Sequence, residues 1–66
     1  MFKVGDRVKS KQFGAGTVCE IFDKDFYTVW VRSDMSKAYY AYDRYGNYCV
    51  ESYDKEFSKI TLLGGN

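Results

Sequence analysis

The run Tyr27-Thr28-Val29-Trp30-Val31-Arg32 alternates apolar and other residues with a period of two. A helix would scatter these side chains around its axis. An extended chain sorts them onto two faces, with Tyr27, Val29 and Val31 on one and Thr28, Trp30 and Arg32 on the other. A single strand cannot satisfy its own backbone or cover its apolar face, so neighbouring segments must pair with it. Helical periodicity is weak everywhere else. Ser52-Tyr53-Asp54-Lys55-Glu56-Phe57 suits one turn of helix and is too short to stand alone.

Further strands are legible on both sides of this run. Val4 to Ser10 opens with a turn at Gly5-Asp6 and continues as a first strand. Gly14-Ala15-Gly16 ends the next loop, with two residues free to take positive φ. Thr17 to Phe22 forms the second strand. Its apolar Val18 and Ile21 stand three apart, which predicts a bulge or sharp bend between them. Asp23-Lys24-Asp25 is a polar hairpin turn leading into Tyr27–Arg32. Ser33 to Lys37 turns again, Ala38 to Tyr42 is the fourth strand, Asp43-Arg44-Tyr45-Gly46 a tight turn and Asn47 to Val50 a fifth strand. A last short strand covers Lys59 to Leu63. Five or six short strands joined by polar turns predict an all-β fold, a small barrel occupying residues 1–66 as one domain. Closure protects edges that so small a sheet would otherwise expose. The predicted core is Val4, Val8, Val18, Ile21, Tyr27, Val29, Val31, Phe57, Ile60 and Leu62.

Composition narrows function more than it narrows fold. The chain has no His, so it lacks an imidazole base and any triad of the usual type. Cys19 and Cys49 have no His partner and fall within strand readings, which favours core thiols over nucleophiles. Two cysteines make neither a disulfide framework nor a four-ligand zinc site. Asp23 with Asp25, and Asp54 with Glu56, could be drawn as acid–base or calcium pairs, but turn carboxylates are ordinarily solvated. Phe13-Gly14-Ala15-Gly16-Thr17-Val18 leads into a strand, whereas a phosphate loop opens a helix. The expectation is a protein that is not an enzyme and needs no cofactor or metal. Its opening residues enter strand pattern at once, and no apolar run approaches a membrane span, so a cytoplasmic location is expected.

What remains is binding. Aromatic residues make up 20% of the chain, and the net charge is only +1. Non-specific nucleic-acid binders ordinarily carry a clear positive excess. If Val29 and Val31 face inward, Trp30 points out with Arg32 beside it, and both residue types are enriched at binding hot spots. The alternative is that the Ser33–Lys37 turn or the C-terminal residues cover Trp30. Tyr39, Tyr40 and Tyr42 cannot all point inward, so the fourth strand also presents tyrosine. Tyr45 and Tyr48 extend the aromatic surface, and Lys9, Lys11 and Phe13 lie along the loop expected to border it. The candidate binding residues are therefore Trp30, Arg32, Phe13, Lys11, Lys9 and Tyr39. Such a surface suits protein contact or base stacking.

Phe2-Lys3-Val4-Gly5-Asp6-Arg7-Val8, then Phe13-Gly14-Ala15-Gly16-Thr17-Val18 and Ile21, resembles the opening of bacterial Tudor-like and KOW-like SH3 barrels. It looks most like the RNA-polymerase-interacting domain of CarD-type regulators and the C-terminal Tudor-like domain of UvrD/PcrA helicases. The resemblance covers about the first third of the chain. It implies a five- to six-stranded SH3-like barrel that contacts RNA polymerase or another nucleic-acid-processing protein through a sheet edge or aromatic face. Val29-Trp30-Val31-Arg32-Ser33-Asp34, Tyr42-Asp43-Arg44-Tyr45-Gly46 and the closing Phe57 and Ile60 look like small stand-alone bacteriophage proteins. That likeness implies an accessory protein acting in the cytoplasm of a bacterial host. A protein partner is the first expectation and a nucleic acid the second.

Overall fold

The alternating run forms β3 (Tyr27–Ser33) of an antiparallel sheet, in a computed structural model that describes residues 2–24, 26–50 and 54–63. The other strands are β1 (Arg7–Ser10), β2 (Gly14–Asp23), β4 (Tyr39–Tyr42) and β5 (Thr61–Leu62). Their order is β4-β3-β2-β1-β5, so the last strand returns to lie beside the first. The domain is small and all-β apart from one short helix, α1 (Lys55–Ser58). Asp54 caps that helix by accepting hydrogen bonds from the Glu56 and Phe57 amides at 3.0 and 3.2 Å.

The expected irregularity in β2 is present. Val18 pairs with Val31 and Glu20 with Trp30, leaving Cys19 as the extra residue of a bulge. The bulge keeps Val18 and Ile21 on the inner side although they stand three apart. The sheet curls strongly enough for Phe13, in the β1–β2 loop, to reach β4, with its ring 5.1 Å from that of Tyr40. The outer edge of β4 is partly occupied by a bridge to Tyr48 and by the Cys49 amide donating to the Ala41 carbonyl. The Ile60 amide donates to the Gly46 carbonyl at 3.0 Å, tying the turn after β4 to the chain entering β5.

The buried centre consists of Val8, Val18, Val29, Val31, Tyr42 and Ile60. Phe2, Phe13, Ile21, Tyr27, Tyr40 and Tyr48 pack around it. Three expected core residues lie outside. Val4 is 63% exposed because it sits in the opening turn before Gly5. Phe57 is exposed because α1 is a single turn that buries Ser58 instead. Leu62 is exposed because it belongs to the two-residue strand at the sheet edge. Tyr42, which the expected core omits, is fully buried at the centre, with Tyr40 and Tyr48 packed against it. The β3–β4 register sets Tyr42 opposite Val29 and Tyr40 opposite Val31, on the inner face.

Two local expectations are also corrected. Asn47–Val50 is not a strand and holds only the bridge at Tyr48. The Asp43 carboxylate accepts from the Tyr45 and Asn47 amides at 2.8 and 2.9 Å, so the chain is drawn into a side-chain-supported turn. Of the two glycines opening β2, only Gly14 takes a positive φ, +85°. Gly16 is required for close approach, since a Cβ there would lie 2.8 Å from the Arg32 carbonyl oxygen and 2.9 Å from Val31 Cγ1. Asp25, Ser52 and Tyr53, which entered the turn and helix expectations, lie outside the described residues.

Candidate binding surface

Because Val29 and Val31 are fully buried, Thr28, Trp30 and Arg32 stand on the opposite, outer face of β3. Pairing extends this face into rows across the sheet. Trp30 lies between Glu20 of β2 and Ala41 of β4. Ala41 is too small to cover an indole, and Trp30 is half-buried. The neighbouring row runs Arg7, Thr17, Arg32, Tyr39 across four strands. Arg32 lies over the Tyr39 ring, 6.0 Å from its centroid. Phe22, opposite Thr28, adds a third exposed aromatic diagonal to Trp30.

Charge on this face is mostly engaged. Arg7 Nη1 donates to Thr17 Oγ1 at 2.7 Å and to Asp34 Oδ1 at 2.9 Å, while Nη2 meets the second Asp34 oxygen. This bidentate pair holds the Asp34 carboxyl below its ordinary range and raises Arg7 further. Both partners are well exposed, so the pair orients the β3–β4 turn more than it stabilises the fold. Thr17, Cys19, Arg32, Ser33, Asp34 and Lys37 line a hollow of about 260 Å³ beside it.

The structure therefore brings Trp30, Arg32 and Tyr39 together. Phe13 does not join them, because its ring turns inward against Tyr40 and Tyr42, 5.1 and 6.5 Å away between centroids. Lys9 and Lys11 lie farther round the sheet, lining a separate groove of about 470 Å³ with Lys59 and Leu63. Tyr45 is exposed as expected, whereas Tyr48 packs against Tyr40 and Tyr42. Sequence reasoning passed over Phe22, whose odd position relative to Ile21 becomes readable only once the bulge is placed.

Both cysteines are free. They are also exposed, contrary to the expected core placement. Cys19 is the bulge residue, with Sγ donating to the Trp30 carbonyl at 3.4 Å. Cys49 follows the turn that replaces the expected fifth strand. Partial desolvation and then the Asp43 charge push its thiol up, which disfavours the thiolate. Among the described residues no cluster of three or more His, Cys, Asp or Glu is placed to hold a metal ion. No helix among them is long and apolar enough to cross a membrane. Comparisons with protein-family models, with curated proteins and with solved structures return no match.

Proposed function

We propose that the protein is a non-catalytic binding module of SH3-like type that docks a protein partner on the outer face of β3 and β4. The observation that carries this reading is Trp30, set half-exposed beside Ala41 with the Arg32–Tyr39 pair in the next row. Tryptophan, tyrosine and arginine supply much of the energy at protein interfaces, typically about 2 kcal/mol or more for one anchor. Here they share one surface whose backbone is fixed by a central strand. The meander order, with the last strand beside the first, supports the SH3-like assignment. The likeness to polymerase-interacting domains and to stand-alone phage proteins makes a bacterial host's transcription machinery the first place to seek the partner.

The test compares capture from bacterial lysate by wild-type protein and by Trp30→Ala, followed by titration calorimetry with the partner recovered. Trp30→Ala is expected to weaken the complex by about 2 kcal/mol, roughly thirtyfold. Equal affinity for the two proteins would remove this face from consideration. A nucleic-acid partner would instead draw on Lys9, Lys11 and Arg32. It would show itself as affinity falling steeply with salt, by about one counterion per phosphate contact.

A further inference from the structure

The cations of this chain are placed in two different ways. Each arginine is engaged: Arg7 with Asp34, Arg32 over Tyr39 and Arg44 over Tyr27, 4.9 Å from the ring centroid. Lys9, Lys11 and Lys59 instead line one groove, and among the described residues none of the three forms an ion pair. The groove of about 470 Å³ lies within the roughly 300–1,000 Å³ common to ligand sites. Among the described residues Glu56 is the one carboxylate on its wall, so positive charge predominates there.

The other described residues of its wall are small or aliphatic. Ser10, Gly14, Ala15, Thr61 and Leu63 lie between the lysines, with no aromatic ring among them. At Gly14 a Cβ would meet nothing within 4 Å. Among the described lining residues a nucleic acid would find phosphate partners but no ring on which to stack a base, and stacking supplies much of single-strand affinity. Carboxylates on a peptide would find the same lysines, and an aliphatic side chain between them would find Ala15 and Leu63.

We propose that this groove, distinct from the Trp30 face, docks an acidic peptide segment carrying an aliphatic anchor, with its carboxylates against Lys9, Lys11 and Lys59. Glu56 opposes this charge and limits how many carboxylates the groove accepts.

Fluorescence anisotropy at low salt with a fluorescein-labelled Asp-Glu-Leu-Asp-Glu peptide tests the assignment. The double variant Lys9→Glu/Lys11→Glu is expected to weaken binding by at least about tenfold, and Glu56→Lys to strengthen it. Replacing the peptide's leucine by serine should weaken binding to the wild type. Trp30→Ala should leave peptide affinity unchanged, which separates this groove from the proposed partner face. Failure of the peptide to bind the wild type, or equal binding by the double variant, overturns the proposal. Tighter binding of a labelled oligothymidylate with the same lysine dependence would assign the groove to nucleic acid and also overturn it. Should the double variant fail to fold, Glu56→Lys decides, because unchanged peptide affinity in that variant is equally fatal.

Discussion

The two faces of the β3–β4 ribbon share one set of backbone hydrogen bonds and differ in what the rows place side by side. On the inner face buried valines meet tyrosines, Val29 with Tyr42 and Val31 with Tyr40. The rings then continue into Phe13 and Tyr48, so the layer is filled. On the outer face Trp30 sits beside Ala41, and Tyr39 stays exposed with Arg32 over its ring. Inner rows are covered by further rings, and outer rows are not. An uncovered row leaves its ring partly bare. Folding therefore depends on the inner tyrosines, while the outer aromatics stay at least partly exposed.

Truncation on each face tests that division most severely. Tyr42→Ala should cost about 3–5 kcal/mol, the range for removing a buried aromatic, because the surrounding rings cannot collapse into the gap. Trp30→Ala should cost less than about 1 kcal/mol, as cross-strand pairs on an open face usually do. Urea denaturation of both variants measures the contrast. A loss at Trp30 as large as that at Tyr42 would make the outer face part of the core.

How far this division could be read beforehand depended on the range of the forces involved. β3 declares its two faces through strict alternation, and the three-residue spacing of Val18 and Ile21 declares the bulge. The fourth strand is harder, because Tyr39, Tyr40 and Tyr42 differ only in their register against β3. Sequence proximity sets Phe13 with Lys11. The curl of the sheet, set by all the strands together, carries its ring to Tyr40 instead. Asn47–Val50 reads as a strand by composition, yet the Asp43 carboxylate offers the backbone and side-chain amides of Asn47 a nearer partner. The proposed lysine groove escapes the pattern for a related reason. Lys9 and Lys11 stand near Lys59 only because β5 pairs with β1.

Two glycines extend the comparison from the strands to the turns that hold them. Gly14 and Gly46 both have positive φ, +85° and +89°. A Cβ on Gly14 would meet open space, whereas one on Gly46 would lie 2.5 Å from the Ile60 carbonyl oxygen and 3.3 Å from the Phe2 ring. Gly14→Ala should therefore cost only the backbone term, about 1–2 kcal/mol. Gly46→Ala adds displacement of Ile60 and weakening of its hydrogen bond to Gly46. Its total should reach about 2–4 kcal/mol in the same denaturation experiment. Equal losses at the two sites would mean that the 43–46 turn is not what closes the inner layer.

The smallest expected effect concerns a single oxygen on the inner face. Tyr42 is fully buried, and among the described residues its hydroxyl has no hydrogen-bond partner. Burial, with further contributions from Tyr48, Tyr40 and Cys49, pushes this hydroxyl well above the ordinary tyrosine range. In the unfolded chain a tyrosine loses its proton near pH 10 (about the free value), while the folded chain retains it. Above that pH the unfolded state binds fewer protons than the native one, so stability falls as pH rises. Below it both states are protonated and stability is independent of this group. Tyr42→Phe removes the hydroxyl and keeps the ring. At pH 7 the variant should match the wild type or exceed it by up to about 1 kcal/mol, because an unpartnered buried oxygen is relieved. On the alkaline side its stability should decline less steeply, and Tyr42→Phe melts taken from pH 8 to about pH 11 would show the difference. If Tyr42→Phe instead lost more than about 1 kcal/mol at neutral pH, the hydroxyl would have a partner. The inner face would then be held by a polar contact as well as by ring packing.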